Sequence, residues 1–377
     1  MRTNPFYLTN RIPPQFFCDR ETETEQLLKS IENQENVVLI AQRRVGKTGL
    51  INHCFDLEDV RDNYYTVSID ILHTSSFKEF VKELGNAAFA TVAQKSEKLR
   101  RNFLSTLKSL TASIGYDPVT STPTFNIRLG DVESPDYSLD EIFAFLEAAD
   151  KPCIIAIDEF QRIANYPEKN VEELLRGKIQ KLTNTHIIFA GSERRILSEM
   201  FQSDKRPFYQ SATTIQLEPI APDRYYSFAQ NQFSQSGKTL KKEAFDKIYN
   251  LFEGITLYVH RVLHDCYYYT DTGEICSEKE AEMFSDNYIN ECGAKIKEIL
   301  AGISESQKEL LYAVSAEKTA VGITSGAFIK RHNLKSASAV QSAAKGLIEA
   351  GIITKKGYAY SLSDPMTRIW LEKQSCR

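Results

Sequence analysis

Residues 41–48 constrain the fold of this chain more than any other segment of its sequence. They read AQRRVGKT and match the pattern GxxxxGK[ST] except at the first position, where alanine replaces glycine. An apolar run, NVVLIA, leads into the segment, and a helical pattern, GLINHCFDL, follows it. A buried strand, a tight loop and a helix N-terminus in this order present backbone N–H groups to phosphate oxygens. The sequence therefore predicts a phosphate-binding loop at the carboxyl end of a strand.

The residue types in this loop suit ATP with a bound Mg²⁺. Lys47 is predicted to contact the β and γ phosphates, and the hydroxyl of Thr48 is predicted to bind Mg²⁺. The loop backbone and the first helical turn complete the predicted ATP site, whose residues are Ala41, Gln42, Arg43, Arg44, Val45, Gly46, Lys47, Thr48 and Gly49.

An acidic pair follows a second apolar run. The segment CIIAIDEF ends a predicted strand with Asp158 and Glu159. Asp158 is predicted to hold Mg²⁺ together with Thr48, and Glu159 to orient or deprotonate the attacking water. Acidic residues at strand ends are often only solvated. The loop motif supports a functional role for Asp158 and Glu159, because a parallel sheet is expected to place the two strands side by side.

Two further positions are predicted to act on the terminal phosphate. Ser192 follows a third apolar run, HIIFA, and suits contact with the γ-phosphate or the attacking water, but it fits the N-cap of the next helix equally well. A cation also stabilises the transition state of phosphoryl transfer. Arg206 is predicted to supply that charge, and three other basic residues that follow Ser192 are further candidates for the same role: Arg194, Arg195 and Lys205.

The apolar runs also define the fold class. Five of them, NVVLIA, YYTVSIDIL, CIIAI, HIIFA and TTIQL, alternate with helical patterns and are rich in Val, Ile and aromatic residues. This arrangement predicts an α/β fold in which helices cover both faces of a parallel sheet. Residues 116–136, rich in Pro, Thr, Ser and Gly, interrupt the alternation and are predicted to form an inserted loop or hairpin.

The pattern changes after Pro219. Helices rich in Tyr and Phe follow, and then come three short helical patterns and a hairpin, IITKKGYAYSLSDP, predicted to turn at Lys356 and Gly357. Three helices and a hairpin predict a winged helix. The predicted domains are an N-terminal arm (1–16), a P-loop domain (17–220), a small helical domain (221–298) and a winged-helix domain (299–377).

Composition excludes several classes of protein. Hydrophobic residues make up 42% and charged residues 25%, which is typical of a globular protein, and no apolar run approaches membrane-spanning length. The charged, proline-containing N-terminus does not resemble a secretory signal. Seven scattered cysteines without a CxxC pair fit reduced thiols. These features predict a cytoplasmic protein that does not enter a membrane.

The chain resembles the archaeal-type P-loop ATPases, a family close to the AAA+ and STAND ATPases. The resemblance rests on segments in the family's order: FFCDRETETEQL, AQRRVGKTGL, IIAIDEFQ, IIFAGSE, IQLEPI, FEGITLYV and SDPMTRIWL. It implies an AAA+-like ATPase domain, a helical lid domain and a C-terminal winged helix. One departure is Ser211, which stands where the family often has an arginine. This departure implies slow hydrolysis.

The sequence as a whole predicts an ATP-binding protein that works as a nucleotide-dependent switch, with slow Mg²⁺-dependent hydrolysis of ATP to ADP and phosphate. Two alternatives stay open. Residues 299–377 hold 11 Lys and Arg against 6 Asp and Glu, a balance that suits a DNA-binding regulator with the ATP site as its sensor. The other alternative is a chaperone-like or defence ATPase that acts on a protein partner. An oligomer is compatible with each function.

Overall fold

The computed structural model describes residues 4–9, 11–107, 113–116 and 123–375, and the chain divides into two compact units. One unit is Thr9–Ile220. The other is Ala221–Arg377 together with the N-terminal segment up to Leu8. The chain therefore passes from one unit to the other twice, after Leu8 and after Ile220.

A five-stranded parallel sheet forms the centre of the first unit. The strands described in this unit are β1 (Val37–Ala41), β2 (Tyr65–Asp70), β3 (Ser113–Tyr116), β4 (Pro123–Asn126), β5 (Cys153–Asp158), β6 (Thr185–Gly191) and β7 (Thr213–Leu217). The sheet has the order β2-β5-β6-β1-β7. Every residue of β1, β5 and β6 is buried, which explains why these strands read as continuous apolar runs. The predicted parallel sheet is confirmed.

Helices cover both faces of this sheet. They are α1 (Glu21–Glu32), α2 (Lys47–Asp56), α3 (Glu58–Asn63), α4 (Phe77–Thr91), α5 (Glu97–Thr106), α6 (Pro135–Glu147), α7 (Val171–Ile179) and α8 (Arg194–Gln202). Leu39 packs in one core with Leu27 of α1. Val38 packs in the other core with Phe80 of α4. Because successive strand residues point to opposite faces, the two cores lie on the two sides of the sheet. The α/β fold class is confirmed.

The interruption predicted at residues 116–136 contains a hairpin. β3 and β4 pair antiparallel between α5 and α6. Residues 117–122, between the two strands, lie outside the described part of the chain. A short 3-10 turn, Leu129–Asp131, follows the hairpin, and α6 then leads into β5. The insertion therefore separates the second and third strands of the parallel sheet without joining it.

The second unit begins with helices and two short strands. Its first elements are α9 (Pro222–Gln235), β8 (Thr239–Leu240), α10 (Lys242–Leu251), α11 (Thr256–Tyr269), β9 (Ile275–Cys276) and α12 (Glu278–Ala301). The strands β8 and β9 pair in parallel, although only helices were predicted in this region. α12 runs without a break past residue 298, where a domain boundary was predicted. Within the described residues, no helix is both long and apolar enough to cross a membrane.

A winged helix follows α12. Its elements are α13 (Glu305–Glu317), β10 (Ala320–Val321), α14 (Gly326–Arg331), α15 (Ala337–Glu349), β11 (Ile353–Lys356), β12 (Ala359–Leu362) and α16 (Pro365–Ser375). Lys356 pairs with Ala359, so the wing turns at Gly357 and Tyr358, one residue later than predicted. Trp370 of α16 packs against Gly293 of α12, where an added Cβ would lie 2.5 Å from the indole nitrogen. The winged helix is therefore joined to the helical domain by packing as well as by α12.

The N-terminal segment packs into the helical domain through Phe6. The ring of Phe6 is fully buried and makes edge-on contacts with Phe233, Tyr267 and His260, among others. The side-chain amide of Asn4 donates to the backbone oxygen of His264 at 3.0 Å. The division between the two units therefore runs inside the predicted arm 1–16.

His260 makes this core sensitive to acid. Its ring is buried, and Nδ1 lies 3.1 Å from the hydroxyl of Tyr225. Burial lowers the pKa of His260 from 6.5 to about 4, so the unfolded chain binds a proton here at a pH where the folded chain does not. This difference in pKa contributes to the free energy of unfolding. The contribution is fully present above pH 6.5 and is lost as pH falls towards 4. The predicted loss is about 3 kcal/mol.

Thermal unfolding of the intact chain between pH 7.5 and 4.5 measures this effect. The His260→Gln variant should lose much of the pH dependence in that range, because its side chain does not titrate. His73→Gln is the matched control, because the His73 side chain is 64% exposed. An equal pH dependence in the unaltered chain and in His260→Gln would contradict the prediction.

Candidate active site

The loop between β1 and α2 has a backbone suited to phosphate binding. Ala41 ends β1, and Arg44 and Gly46 adopt left-handed conformations with φ of 70° and 99°. Gly46 directly precedes α2, and an added Cβ there would meet nothing within 4 Å, so its backbone conformation is the reason for glycine. The other predicted ATP-binding residues lie in this turn or in the first turn of α2: Gln42, Arg43, Val45, Lys47, Thr48 and Gly49.

Lys47, Thr48 and the acidic pair meet beyond the ends of β1 and β5. Nζ of Lys47 contacts the carboxylate of Asp158 and lies 3.5 Å from Oε1 of Glu159. Oγ1 of Thr48 donates to Oδ2 of Asp158 at 2.8 Å. The side chains of Lys47, Asp158 and Glu159 are only 8%, 12% and 13% exposed. The structure therefore assembles the predicted cluster, in surroundings where charges interact more strongly than in water.

The two strands that carry this cluster are not adjacent. β6 lies between β1 and β5, so the expectation that they lie side by side is wrong. The side chains of Lys47 and Asp158 bridge the gap beyond the end of β6. This geometry leaves the first residue after β6, Ser192, next to the cluster.

Ser192 contacts the acidic pair. Its hydroxyl donates to Oε2 of Glu159 at 2.9 Å. The N-cap residue of α8 is Glu193, and no side chain caps that end of the helix, so the alternative role of Ser192 as an N-cap is wrong. The serine is instead part of the cluster around Glu159.

The oxygen donors of the cluster fit Mg²⁺. This ion prefers oxygen ligands and is commonly held by one or two carboxylates together with phosphate oxygens. The Thr48 hydroxyl and the Asp158 carboxylate lie within hydrogen-bond distance of each other, so one cation can contact both. The pair therefore has the donor types and the proximity that the predicted metal site needs.

Comparison with protein families identifies the fold around this site. The model of an ATPase domain predominantly from Archaea matches residues 17–262, well over half of the chain. The chain belongs to this ATPase family. A model of a probable winged helix domain matches residues 294–373 of the ATPase. No curated protein is significantly similar to it in sequence.

Solved structures resemble the ATPase over nearly its whole length. A Walker-type ATPase of Pyrococcus abyssi is 18% identical with a TM-score of 0.66, and the match covers 98% of this chain and 99% of the other. The Aeropyrum pernix ORC2 protein, in ADPNP and ADP complexes, is 12% identical with a TM-score of 0.60, over 99% and 98%. The Aeropyrum pernix ORC1 protein, in complex with DNA, is 12% identical with a TM-score of 0.53, over 96% and 94%. At these identities the likeness concerns the fold.

Arg206 is not brought to the cluster in the ATPase. Its guanidinium forms ion pairs with Glu172, at 2.5 Å, and with Glu199, at 3.9 Å. The side chain of Arg206 is 28% exposed, and burial raises the pKa of Glu172 above its usual value. Of the four residues predicted to be catalytic, Lys47, Glu159 and Ser192 therefore meet and Arg206 lies apart from them.

Sequence reasoning missed Arg20, a buried residue that contacts the loop. Its guanidinium donates to the backbone oxygen of Val45 at 3.2 Å and pairs with Glu23 at 2.9 Å. Arg20 is 5% exposed and has a φ of 84° at the start of α1. The segment FFCDRE, which contains it, marked the family resemblance but gave no sign of this contact. Arg20 therefore supports the loop through the backbone of Val45.

Replacing Arg20 by methionine is predicted to weaken Mg-ATP binding by about tenfold. The substitution keeps the length of the side chain but removes a charged donor to the loop, a loss on the order of 1.5 kcal/mol or more. Isothermal titration calorimetry measures the change. The control is Arg61→Met, because the Arg61 side chain is 63% exposed. Equal affinities for the unaltered chain and Arg20→Met would show that Arg20 does not support the loop.

Proposed function

We propose that this ATPase binds Mg-ATP at the loop of residues 41–49, hydrolyses it slowly and works as a nucleotide-dependent switch. One observation carries the proposal. Thr48, Lys47 and Glu159 surround Asp158, so a group for the metal, a group for the phosphates and a group for the water are all present.

The residues of the cluster change partners when nucleotide binds. The backbone N–H groups of the loop and of the N-terminus of α2 donate hydrogen bonds to the phosphate oxygens, and Lys47 leaves Asp158 to contact the β and γ phosphates. Asp158 and Thr48 would hold Mg²⁺, which would neutralise phosphate charge. Lys47 also leaves Oε1 of Glu159, and that oxygen is then free to accept a proton from water.

The arrangement of basic groups supports slow turnover. Phosphoryl transfer is accelerated strongly by an arginine at the transition state. In the described parts of the chain, Arg206 is held by Glu172 and Glu199, and Ser211 donates its hydroxyl to the backbone oxygen of Phe208. Lys47, in contrast, forms ion pairs with both Asp158 and Glu159. A switch needs only that the bound and hydrolysed states differ, so slow turnover suits it.

Two measurements test this function. Calorimetry with Mg-ATP should show binding at one site per chain, and release of phosphate should be slow and constant per chain over a wide range of protein concentration. Turnover per chain that rises with concentration would instead indicate an arginine supplied by a neighbouring copy. Absence of Mg-ATP binding would overturn the proposal.

DNA binding by the winged helix is a second candidate, favoured by a set of exposed lysines that form no ion pair. Within the described residues, five exposed lysines around the helices and wing have no ion-pair partner: Lys318, Lys330, Lys335, Lys355 and Lys356. Nearby basic residues are neutralised, since Arg331 pairs with Glu317 and Lys373 with Asp286. Unpaired lysines are suited to phosphate contacts.

Fluorescence anisotropy with duplex DNA at several salt concentrations tests this candidate. Replacing Lys355 and Lys356 together by glutamate should weaken binding uniformly across sequences and make the salt dependence about two phosphate contacts shallower. The control exchanges two exposed lysines of the other unit, Lys169 and Lys181, for glutamate. Equal losses in both double variants would count against a site on the wing.

A further inference from the structure

Gln161 is buried next to the cluster and donates a hydrogen bond to Glu159. Its side-chain nitrogen is 2.5 Å from Oε2 of Glu159, the same oxygen that accepts from the hydroxyl of Ser192 at 2.9 Å. Gln161 is 1% exposed. Because an ionised carboxylate only accepts hydrogen bonds, the amide must turn its nitrogen towards Glu159. Two donors therefore occupy Oε2.

The other carboxylate oxygen has a different environment. Oε1 of Glu159 faces Nζ of Lys47 at 3.5 Å, a contact that is released when the lysine binds phosphate. One oxygen is thus held by the protein, and the other is directed towards the loop. The φ of Glu159 is 57°, so its backbone is also held in a conformation that non-glycine residues adopt at a cost.

Gly191 makes room for this arrangement. A Cβ built on Gly191 would lie 2.0 Å from Oε1 of Gln161 and 2.6 Å from a methyl carbon of Leu197. Any other residue at position 191 would therefore displace the amide. The Oε1 atom of Gln161 is buried and has no hydrogen-bond partner in the described structure. An unsatisfied buried oxygen is unfavourable, and this cost accompanies the orientation in which the nitrogen donates to Glu159.

We infer that Gln161 is a positioning residue for ATP hydrolysis. It acts with Ser192 to fix Oε2 of Glu159, so that Oε1 points at the attacking water once Lys47 has moved to the phosphates. The inference rests on the proposed hydrolysis of ATP. Misplacement of a catalytic group by about 1 Å lowers turnover by up to 10²-fold, so the orienting contact has a measurable effect.

The experiment measures kcat, KM and the Kd for Mg-ATP in a set of variants. Gln161→Met keeps the volume and length of the side chain but removes the donor, and Gly191→Ala displaces the same amide by a different route. Each variant is also made in a Glu159→Gln background. Gln202→Met, at an exposed position at the end of α8, is the matched control.

The expected result is a fall in kcat of about tenfold or more for Gln161→Met and for Gly191→Ala, with a Kd for Mg-ATP within about threefold of the unaltered chain. In the Glu159→Gln background, the same substitutions should change kcat less than twofold, because the group that they orient is gone.

Two results would overturn the inference while the proposed function stands. One is turnover by Gln161→Met equal to that of the unaltered chain. The other is an equal fall in kcat in both backgrounds, which would indicate a general structural effect of Gln161. If the unaltered chain binds no Mg-ATP or releases no phosphate, the proposed function itself fails, and the inference fails with it.

Discussion

Replacing Glu159 by glutamine is expected to lower the turnover number for ATP by about 10²–10⁴-fold, which is the usual contribution of a general base. Glutamine has nearly the same shape, but its amide does not take a proton from water. Binding of Mg-ATP should change little, because Lys47 and the loop backbone supply the phosphate contacts. The expected signature is thus a large loss in kcat with a Kd within a fewfold of the unaltered chain.

Phosphate release under single-turnover conditions, together with calorimetry, separates these two quantities. Glu173→Gln is the matched control, because this glutamate is exposed on α7 and should leave both quantities unchanged. If Glu159→Gln hydrolyses ATP as fast as the unaltered chain, then Glu159 does not activate the water. If it instead loses Mg-ATP binding, the carboxylate has a role in binding that the present mechanism does not assign to it.

Replacing Lys47 by methionine is expected to have two effects, one on the binding of Mg-ATP and one on the stability of the nucleotide-free protein. Affinity for Mg-ATP should fall by about 10- to 100-fold, since a hydrogen bond to a charged group contributes about 1.5–3 kcal/mol. The nucleotide-free protein should also lose about 1–3 kcal/mol of stability, because Asp158 would lose its ion-pair partner at a site where it is nearly buried.

Calorimetry and urea unfolding measure the two effects. Unfolding is best followed by circular dichroism, because the single tryptophan, Trp370, belongs to the other unit. Lys181→Met is the control, since Lys181 is exposed in the same unit as Lys47. Unchanged affinity for Mg-ATP in Lys47→Met would contradict the placement of the nucleotide at residues 41–49. A lost affinity with unchanged stability would mean that Asp158 is well solvated without the lysine.

The local sequence was sufficient for the elements that carry the site. Strands buried on both faces need continuous apolar runs, so the runs leading to Ala41, Asp158 and Ser192 identified their own strands. The loop needs a left-handed residue before α2, and Gly46 supplies it. The carboxyl ends of parallel strands lie at the same edge of a sheet. The contact between Thr48 and Asp158 was therefore predictable without knowledge of the strand order.

The contacts that support the cluster were not predictable in the same way. Arg20 is 25 positions from Val45, and Gln161 depends on the absence of a side chain at position 191. Neither relation has a spacing rule, because each depends on how elements distant in sequence pack. Phe6 is a similar case: an apolar residue near the N-terminus gives no sign of which core it will enter.

Sequence alone determined the parallel sheet, the phosphate loop and the acidic pair, because burial on both faces and a tight turn before a helix each restrict the residues that can stand there. Only the tertiary structure decided which groups surround Glu159 and that Arg206 pairs with acidic residues away from it. It also decided that β6 separates the two strands of the cluster. These features arise from packing and charge pairing between elements that are distant in sequence. The local sequence does not restrict which of these groups meet, because many residues are compatible with the same local structure.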